Sequence, residues 1–151
     1  MDQTDKRILK ALQQNGKLQN NELAQVIGLS PSPCLRRVKQ LEDDGIIEKY
    51  VALVDSAKVN LGLTVFARIW LKSQDAETVD QFVDAIQDMP EVVECQLMAG
   101  DRDFFLRIVV ADLDAYRQFQ IHHLKKISGL QNVKTEIPLQ KIKQTTELPL
   151  G

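Results

Sequence analysis

An α+β chain is predicted, a winged helix-turn-helix at the N-terminus followed by a ferredoxin-like βαββαβ sandwich, and three observations carry that reading. Apolar residues recur at helical spacing as far as Gly45. From Leu63 onward they switch to a two-residue alternation. The periodic segments that follow run strand, helix, strand, strand, helix, strand. The boundaries expected are 1–54 for the first domain, 55–62 for a hinge and 63–151 for the second.

In the first domain, Asp2 to Asn15 reads as a helix with Ile8, Leu9 and Leu12 on one side. Asn20 or Asn21 can cap a second helix whose Leu23, Ala24 and Ile27 share a stripe, and Gly28 can end it in the left-handed conformation. After the turn Gly28-Leu29-Ser30, Ser30 can cap a third helix with Pro31 at its first position, where the missing amide costs nothing, and Pro33 still in the first turn. Gly45 ends it. Cys34, Leu35, Val38 and Leu41 are expected to form its buried stripe, with Ser32, Arg36, Lys39 and Gln40 opposite and Arg37 on the flank. Ile46 to Val54 then reads as a strand or wing. A domain of this size has a marginal core and should lean on a partner or on the rest of the chain.

The formal net charge is −2, yet Arg36, Arg37 and Lys39 accumulate three positive charges before the first acid, Glu42. Two helices joined by a tight turn can present such a rod to the major groove of double-stranded DNA. Arginine pairs bidentately with guanine, Gln40 can pair with adenine, and Lys49 can reach a phosphate. The candidate DNA contacts are Ser30, Ser32, Arg36, Arg37, Lys39, Gln40 and Lys49. The competing reading of three basic residues is an ordinary solvated helix face; the capped helix-turn-helix around them favours DNA.

In the second domain, Leu63, Val65, Ala67, Ile69 and Leu71 alternate with Thr64, Phe66, Arg68, Trp70 and Lys72, the pattern of a strand. Val79, Phe82, Val83, Ile86 and Met89 follow at helical steps until Pro90. Strands over Val92 to Met98 and Asp103 to Ala111 flank the turn Ala99-Gly100-Asp101-Arg102. Asp112 can cap a helix with Tyr116, Phe119, His123 and Ile127 on one stripe, and Val133 to Ile142 makes the last strand, with Pro138 tolerable on an edge. Phe66, Trp70, Phe105 and Val109 occupy the alternate positions of their strands, so whichever face the helices cover, large apolar side chains stay on the other. A second subunit is the expected cover.

Composition points to a water-soluble cytoplasmic protein: 151 residues, 44% of them hydrophobic, with a polar N-terminus that has no secretory character. The apolar run Leu61 to Leu71 is interrupted by Arg68 and too short to span a bilayer. Cys34 and Cys95 are expected to be buried thiols. No metal site and no cofactor are expected. His122 and His123 point about 100° apart on a helix, poor geometry for joint ligation. Glu42, Asp43 and Asp44 have no nucleophile, histidine or phosphate loop nearby in sequence, so no catalytic residue is assigned and the chain is not read as an enzyme.

The opening TDKRILKALQQNGKLQNNELAQVIGLSPSPCLRRVKQLEDDGII, the turn Gly100-Asp101-Arg102-Asp103 with Phe104, and the tail IKQTTELPL together resemble the Lrp/AsnC (feast/famine) family of amino-acid-responsive transcription regulators over essentially the whole chain. The turn is similar to the G-x-x-D plus aromatic signature of that family's ligand-binding (RAM-type) domain, with Phe104 where tyrosine is common. The resemblance implies a homodimer built through the sheet domains, often assembled into octamers, and a small ligand where dimers meet. Carried over residue by residue, it places the effector at Leu97, Met98, Ala99, Gly100, Asp101, Asp103 and Phe104, with Leu113, Ile137 and Pro138 nearby. Asp101 or Asp103 can take an amino acid's ammonium and free amides around Gly100 its carboxylate, while Leu97, Met98 and Leu113 suit leucine, methionine or cysteine. Read without the resemblance, Gly100 and the aspartates simply close a hairpin. Two rival functions stay open at this point, an architectural DNA-binding protein without effector and a small-molecule enzyme on the ferredoxin-like domain.

Overall fold

The computed structural model describes residues 1–151, which divide into two compact units, Met1–Leu53 with Ile142–Gly151, and Val54–Lys141. The chain therefore passes between the units twice.

The first unit holds α1 (Gln3–Gln14), α2 (Asn20–Ile27) and α3 (Pro31–Asp43). Asp2 caps α1 through a reciprocal pair: the Asp5 amide donates to Asp2 Oδ1 at 2.9 Å, and the Asp2 amide to Asp5 Oδ2 at 2.8 Å. Ile8, Leu9, Ala11, Leu23, Ala24, Ile27, Cys34 and Leu41 are buried in one cluster. The cap of α2 is Gln19, not Asn20 or Asn21: its amide donates to Glu22 Oε2 at 3.0 Å, and Asn20, now the first helical residue, uses its side-chain amide on the Pro31 carbonyl at 2.9 Å. Gly28 closes α2 at φ 71°, and the Leu29 amide returns to the Ala24 carbonyl.

Three expectations for this unit are corrected. Leu35 is 55% exposed, because the buried line through Cys34, Val38 and Leu41 is narrow and Leu35 lies about 100° around the helix from Cys34. Ile46 to Val54 forms no strand, having no ladder partner in the chain; Tyr50 pins it instead by donating to Glu42 Oε1 at 2.9 Å. Finally, the tail Ile142–Gly151 packs with the first unit rather than completing the second. Gln13 bonds both backbone groups of Leu148, accepting from its amide at 2.6 Å and donating to its carbonyl at 3.3 Å, while Leu150 packs against the helical core. A small three-helix core gains apolar cover from this strap.

The second unit is an antiparallel sheet of β1 (Leu63–Leu71), β2 (Val92–Leu97), β3 (Phe104–Val110) and β4 (Leu130–Glu136) in the order β2-β3-β1-β4, with α4 (Ala76–Gln87) and α5 (Leu113–His122) as crossovers. Val65, Ala67, Ile69 and Leu71 of β1, and Phe104, Leu106, Ile108 and Val110 of β3, form the buried sheet face and pack with Phe82, Ile86, Tyr116, Phe119, Leu124 and Ile127. Asp75 and Asp112 cap the two helices by accepting from Thr78 and Ala115 amides. β4 begins three residues before the expected Val133 and ends at Glu136. Its register runs from Leu71 opposite Leu130 to Phe66 opposite Glu136, with a bulge at Trp70/Leu71, so Pro138 lies past the ladder that it could not have joined. Cys95 is exposed, against expectation, because β2 is an edge strand of which only Val92 is even half-buried; Cys34 is fully buried.

Gly28 and Gly129 test different penalties. Both have positive φ, 71° and 81°, but an added methyl at Gly28 meets nothing within 4 Å, whereas at Gly129 it falls 2.6 Å from Thr78 Cγ2. Gly28→Ala should cost the left-handed backbone penalty alone, about 1–2 kcal/mol, and Gly129→Ala distinctly more. Adding Thr78→Ser to the second variant removes the clashing methyl and should restore the difference, as read by hydrogen-exchange protection within each unit.

Candidate functional site

The outer face of α3 is assembled as its sequence pattern implies. Ser30, at its N-terminal cap, and Ser32, Arg36, Lys39 and Gln40 are exposed along it, although the Ser30 side chain makes no capping bond. Arg36, Lys39 and Lys49 make no ion pair within the chain, whereas Arg37 is engaged: its guanidinium lies 2.8 Å from Asp2 Oδ2 and 2.8 Å from Asp5 Oδ1. This corrects its place among free DNA contacts. Arg37 fastens the start of α1 to α3, and the acids that it neutralises no longer offset Arg36 and Lys39. Gln40 also has an internal bond, to Asp44 Oδ1 at 2.7 Å, in an exposed position where a base edge could compete for it. Tyr50, which the sequence reading did not single out, holds the segment carrying Lys49 against α3; burial, then the Glu42 carboxylate, pushes its phenol up to about 12.

At the other candidate site, β2 and β3 meet in a turn closed by the Met98 amide on the Asp103 carbonyl at 2.9 Å, with Gly100 at φ 135°. Leu97, Ala99, Gly100 and Asp101 are exposed and Met98 is half-buried. Asp103 and Phe104 point inward, and the structure removes both from the ligand-facing set. Asp103 is 9% exposed; Oδ2 accepts from the Leu71 amide at 2.7 Å and Oδ1 from Gln74 Nε2 at 2.8 Å, so the carboxylate ends β1 rather than facing a ligand. Phe104 is 2% exposed, its ring 4.6 Å from that of Phe82. Trp70 Nε1 donates to the Asp101 carbonyl, tying the turn to the open face of the sheet. No local motif announces Trp70 or Gln74 as turn-holding residues, because each reaches the turn from a segment distant in sequence.

Leu113, Ile137 and Pro138 are exposed but belong to the opposite end of the sheet. Leu113 follows β3 where Val110 pairs with Leu63, and Ile137 continues β4 past Phe66 toward that end, whereas the turn adjoins the pairing of Phe104 with Ile69. Those ends of β1 are roughly 20 Å apart. One copy of the chain thus does not bring the ten expected effector residues into a single pocket. Near Leu113's end lies a separate cavity of about 360 Å³ lined by Phe119, His122 and His123 among others. His123 stacks on Phe119 at 5.8 Å and His122 bonds Gln118, and no group of three His, Cys, Asp or Glu side chains is placed to hold a metal ion.

Two family models match these two regions, winged helix-turn-helix DNA-binding over residues 1–48 and the Lrp/AsnC ligand binding domain over residues 64–148. The chain belongs to the Lrp/AsnC family of transcriptional regulators. Among its relatives, the transcriptional regulator AzlB of Bacillus subtilis is 38% identical, covering 99% of this chain and 96% of the relative. The leucine-responsive regulatory protein of Escherichia coli is 36% identical over 98% of this chain and 90% of its own. A transcriptional regulator of Neisseria meningitidis, solved as an L-Met complex, superposes with a TM-score of 0.95 at 41% identity, covering 99% of this chain and 97% of that one. An Lrp/AsnC architecture accordingly explains the pairing of a helix-turn-helix with a ferredoxin-like sheet here. No helix is long and apolar enough to cross a membrane.

Asp2 reports on the α1–α3 clamp. The Asp5 amide first, and then the Arg37 guanidinium, lower its carboxyl from 3.8 to about 2. A lowered folded value stabilises above pH 3.8 and is lost as pH falls toward 2. Arg37→Ala should move the Asp2 titration, followed by NMR, part of the way back toward 3.8, since the Asp5 amide still contributes, and should flatten the acid limb of the unit's stability. Asp103→Ala should act on stability rather than on a ligand: it strands the buried Leu71 amide, a loss of about 1–3 kcal/mol in urea unfolding, whereas Asp103→Asn, which keeps an acceptor, should lose less.

Proposed function

We propose that this regulator reads paired DNA half-sites through α3 and is switched by a free amino acid with an aliphatic or sulfur-containing side chain, leucine, methionine or cysteine. The observation that carries the DNA contact is the asymmetry among the cations of α3. Arg37 is held by Asp2 and Asp5, while Arg36 and Lys39 face outward without a partner on a helix fixed by Gly28, Asn20 and its own buried stripe. Ser30, Ser32, Gln40 and Lys49 complete the contact surface. The L-Met complex of the Neisseria relative and the name of the leucine-responsive relative support the effector class.

Assembly follows from the sheet. Phe66, Trp70, Phe105 and Val109 are half-buried on the face without helices, with Phe66 and Phe105 stacked at 5.5 Å, and a homodimer through this face gives them cover. Because the turn and the Leu113 end lie at opposite ends of the sheet, a site using both draws them from different copies, which favours further assembly of dimers, up to an octamer. The setting is cytoplasmic, with the chromosome as substrate for binding, and the activity is binding rather than catalysis.

Arg36→Ala should cost about 1–3 kcal/mol on the cognate duplex and blur base preference, while Lys49→Ala should weaken specific and random duplexes alike. Mobility shifts at two salt concentrations, with and without methionine, check this. Unchanged operator affinity of Arg36→Ala would refute the contact, and a shift indifferent to every amino acid would refute the switch.

A further inference from the structure

A cavity of about 690 Å³ lies between α1 and the strap, wholly within the first unit, and its charge is one-sided. Lys6, Arg7 and Lys10 line it from α1 and Lys143 from the strap, against one acidic side chain, Glu147, which accepts from Gln14 Nε2 at 3.3 Å. Four cations thus meet in a chain whose formal net charge is −2. None of the four enters an ion pair; those of the chain belong to Arg37, Lys58, Arg68 and Arg107. Fully buried Ile8 marks the core side of α1, and Lys6 and Lys10, two residues before and after it, each fall about 160° around the helix from it. The remaining wall is apolar and fixed: Leu148 and Pro149 form it, and Gln13 holds Leu148 by both backbone groups.

Lys6 and Lys10, at i and i+4, repel each other along α1, and Arg7 adds a third charge three residues from Lys10. The acids at the start of α1 do not offset them, because Asp2 and Asp5 are taken by Arg37. A ligand that brings several negative charges close together removes that repulsion. Adjacent phosphate groups do so with many acceptor oxygens, which ammonium and guanidinium groups bond well. A cavity of this volume holds a molecule of cofactor size. We propose that it binds a nucleotide carrying two or more phosphates, with the phosphates among Lys6, Arg7, Lys10 and Lys143 and the base against Leu148 and Pro149. DNA offers phosphates too, but these cations lie on the outer side of α1, whereas α3 carries the groove contacts, and a duplex keeps its bases stacked away from an apolar wall. The site is separate from α3 and from the amino-acid effector. A nucleotide held there bridges α1 and the strap, so its binding tightens the strap on the helical unit.

The full chain is titrated by calorimetry with adenosine, AMP, ADP and inorganic pyrophosphate, without methionine or DNA. ADP should bind about tenfold or more tightly than AMP, and adenosine not measurably. ADP should also exceed pyrophosphate, because the base adds its contact with the apolar wall, and it should slow hydrogen exchange in α1 and the strap together. Lys6→Gln combined with Lys10→Gln should weaken ADP about tenfold or more, and Lys143→Gln, on the strap, should weaken it as well; glutamine preserves helix propensity, and far-UV circular dichroism checks the fold. ADP affinity unchanged in the double variant overturns the inference. Affinity unchanged in Lys143→Gln also overturns it, by placing the binding on α1 alone, and pyrophosphate as tight as ADP overturns the nucleotide assignment. A parent that binds no ADP, with a double variant that loses affinity for random duplex and shows a shallower salt dependence, overturns it by assigning the cations to the DNA backbone.

Discussion

A four-stranded sheet has two faces, and this one has helices for only one of them. That constraint organises the second unit. In β1 the even-numbered positions carry Phe66 and Trp70 and the odd-numbered ones Val65, Ile69 and Leu71, so no choice of face hides every large apolar group. α4 and α5 cover the odd-numbered set of β1 together with the even-numbered set of β3, which form one continuous apolar face, and the stacked Phe66 and Phe105 stay on the open side. Burying an aromatic side chain completely is favourable by about 1.5–3 kcal/mol. Several half-buried rings on one face are therefore apolar surface that the second copy proposed above would cover, and Trp70 ties the β2–β3 turn to that face.

The first unit is governed by smallness. Three helices enclose eight buried apolar residues, which leaves little margin, and the chain compensates in two ways that a local reading does not foresee. Arg37 is drawn inward to Asp2 and Asp5, clamping α1 to α3 at the cost of one cation on the flank of α3. The tail Ile142–Gly151 returns to lie with α1, held by Gln13 and Leu150. Exposed ion pairs contribute little singly, but here a single guanidinium bridges two carboxylates that also cap each other's amides, so the start of α1 is fixed by several weak bonds acting together.

What was legible in the sequence follows the range of the interactions responsible. The helices, the alternation of β1 and β3 and the inward and outward faces of α3 at Cys34 and Arg36 all come from periodicity and capping, which act within a few residues. The errors lie where the deciding partner is distant. Asn20 loses the cap to Gln19 because Pro31, eleven positions on, takes its side-chain amide. Asp103 reads as a free carboxylate in a turn motif until Leu71 and Gln74 are seen to occupy both its oxygens. Ile46 to Val54 has the composition of a strand, and a strand needs a neighbour that the chain does not supply. β4 starts early because its register is set against β1, not by its own alternation.

The same logic bears on how a signal could travel. Each protomer connects its units by two passages of chain, near Leu53/Val54 and Lys141/Ile142. The chain thus enters the helical unit at two points, one of which runs into the strap on α1. α1 in turn is clamped to α3 by Arg37. A ligand that binds one arrangement of copies more tightly than another shifts the population toward it by that difference and no more. Under the dimer proposed above, the consequence for DNA is geometric: each α3 face keeps its own geometry while the separation between the two changes, so half-site pairs spaced near one helical turn, about 10 bp, or its multiples should discriminate between the arrangements.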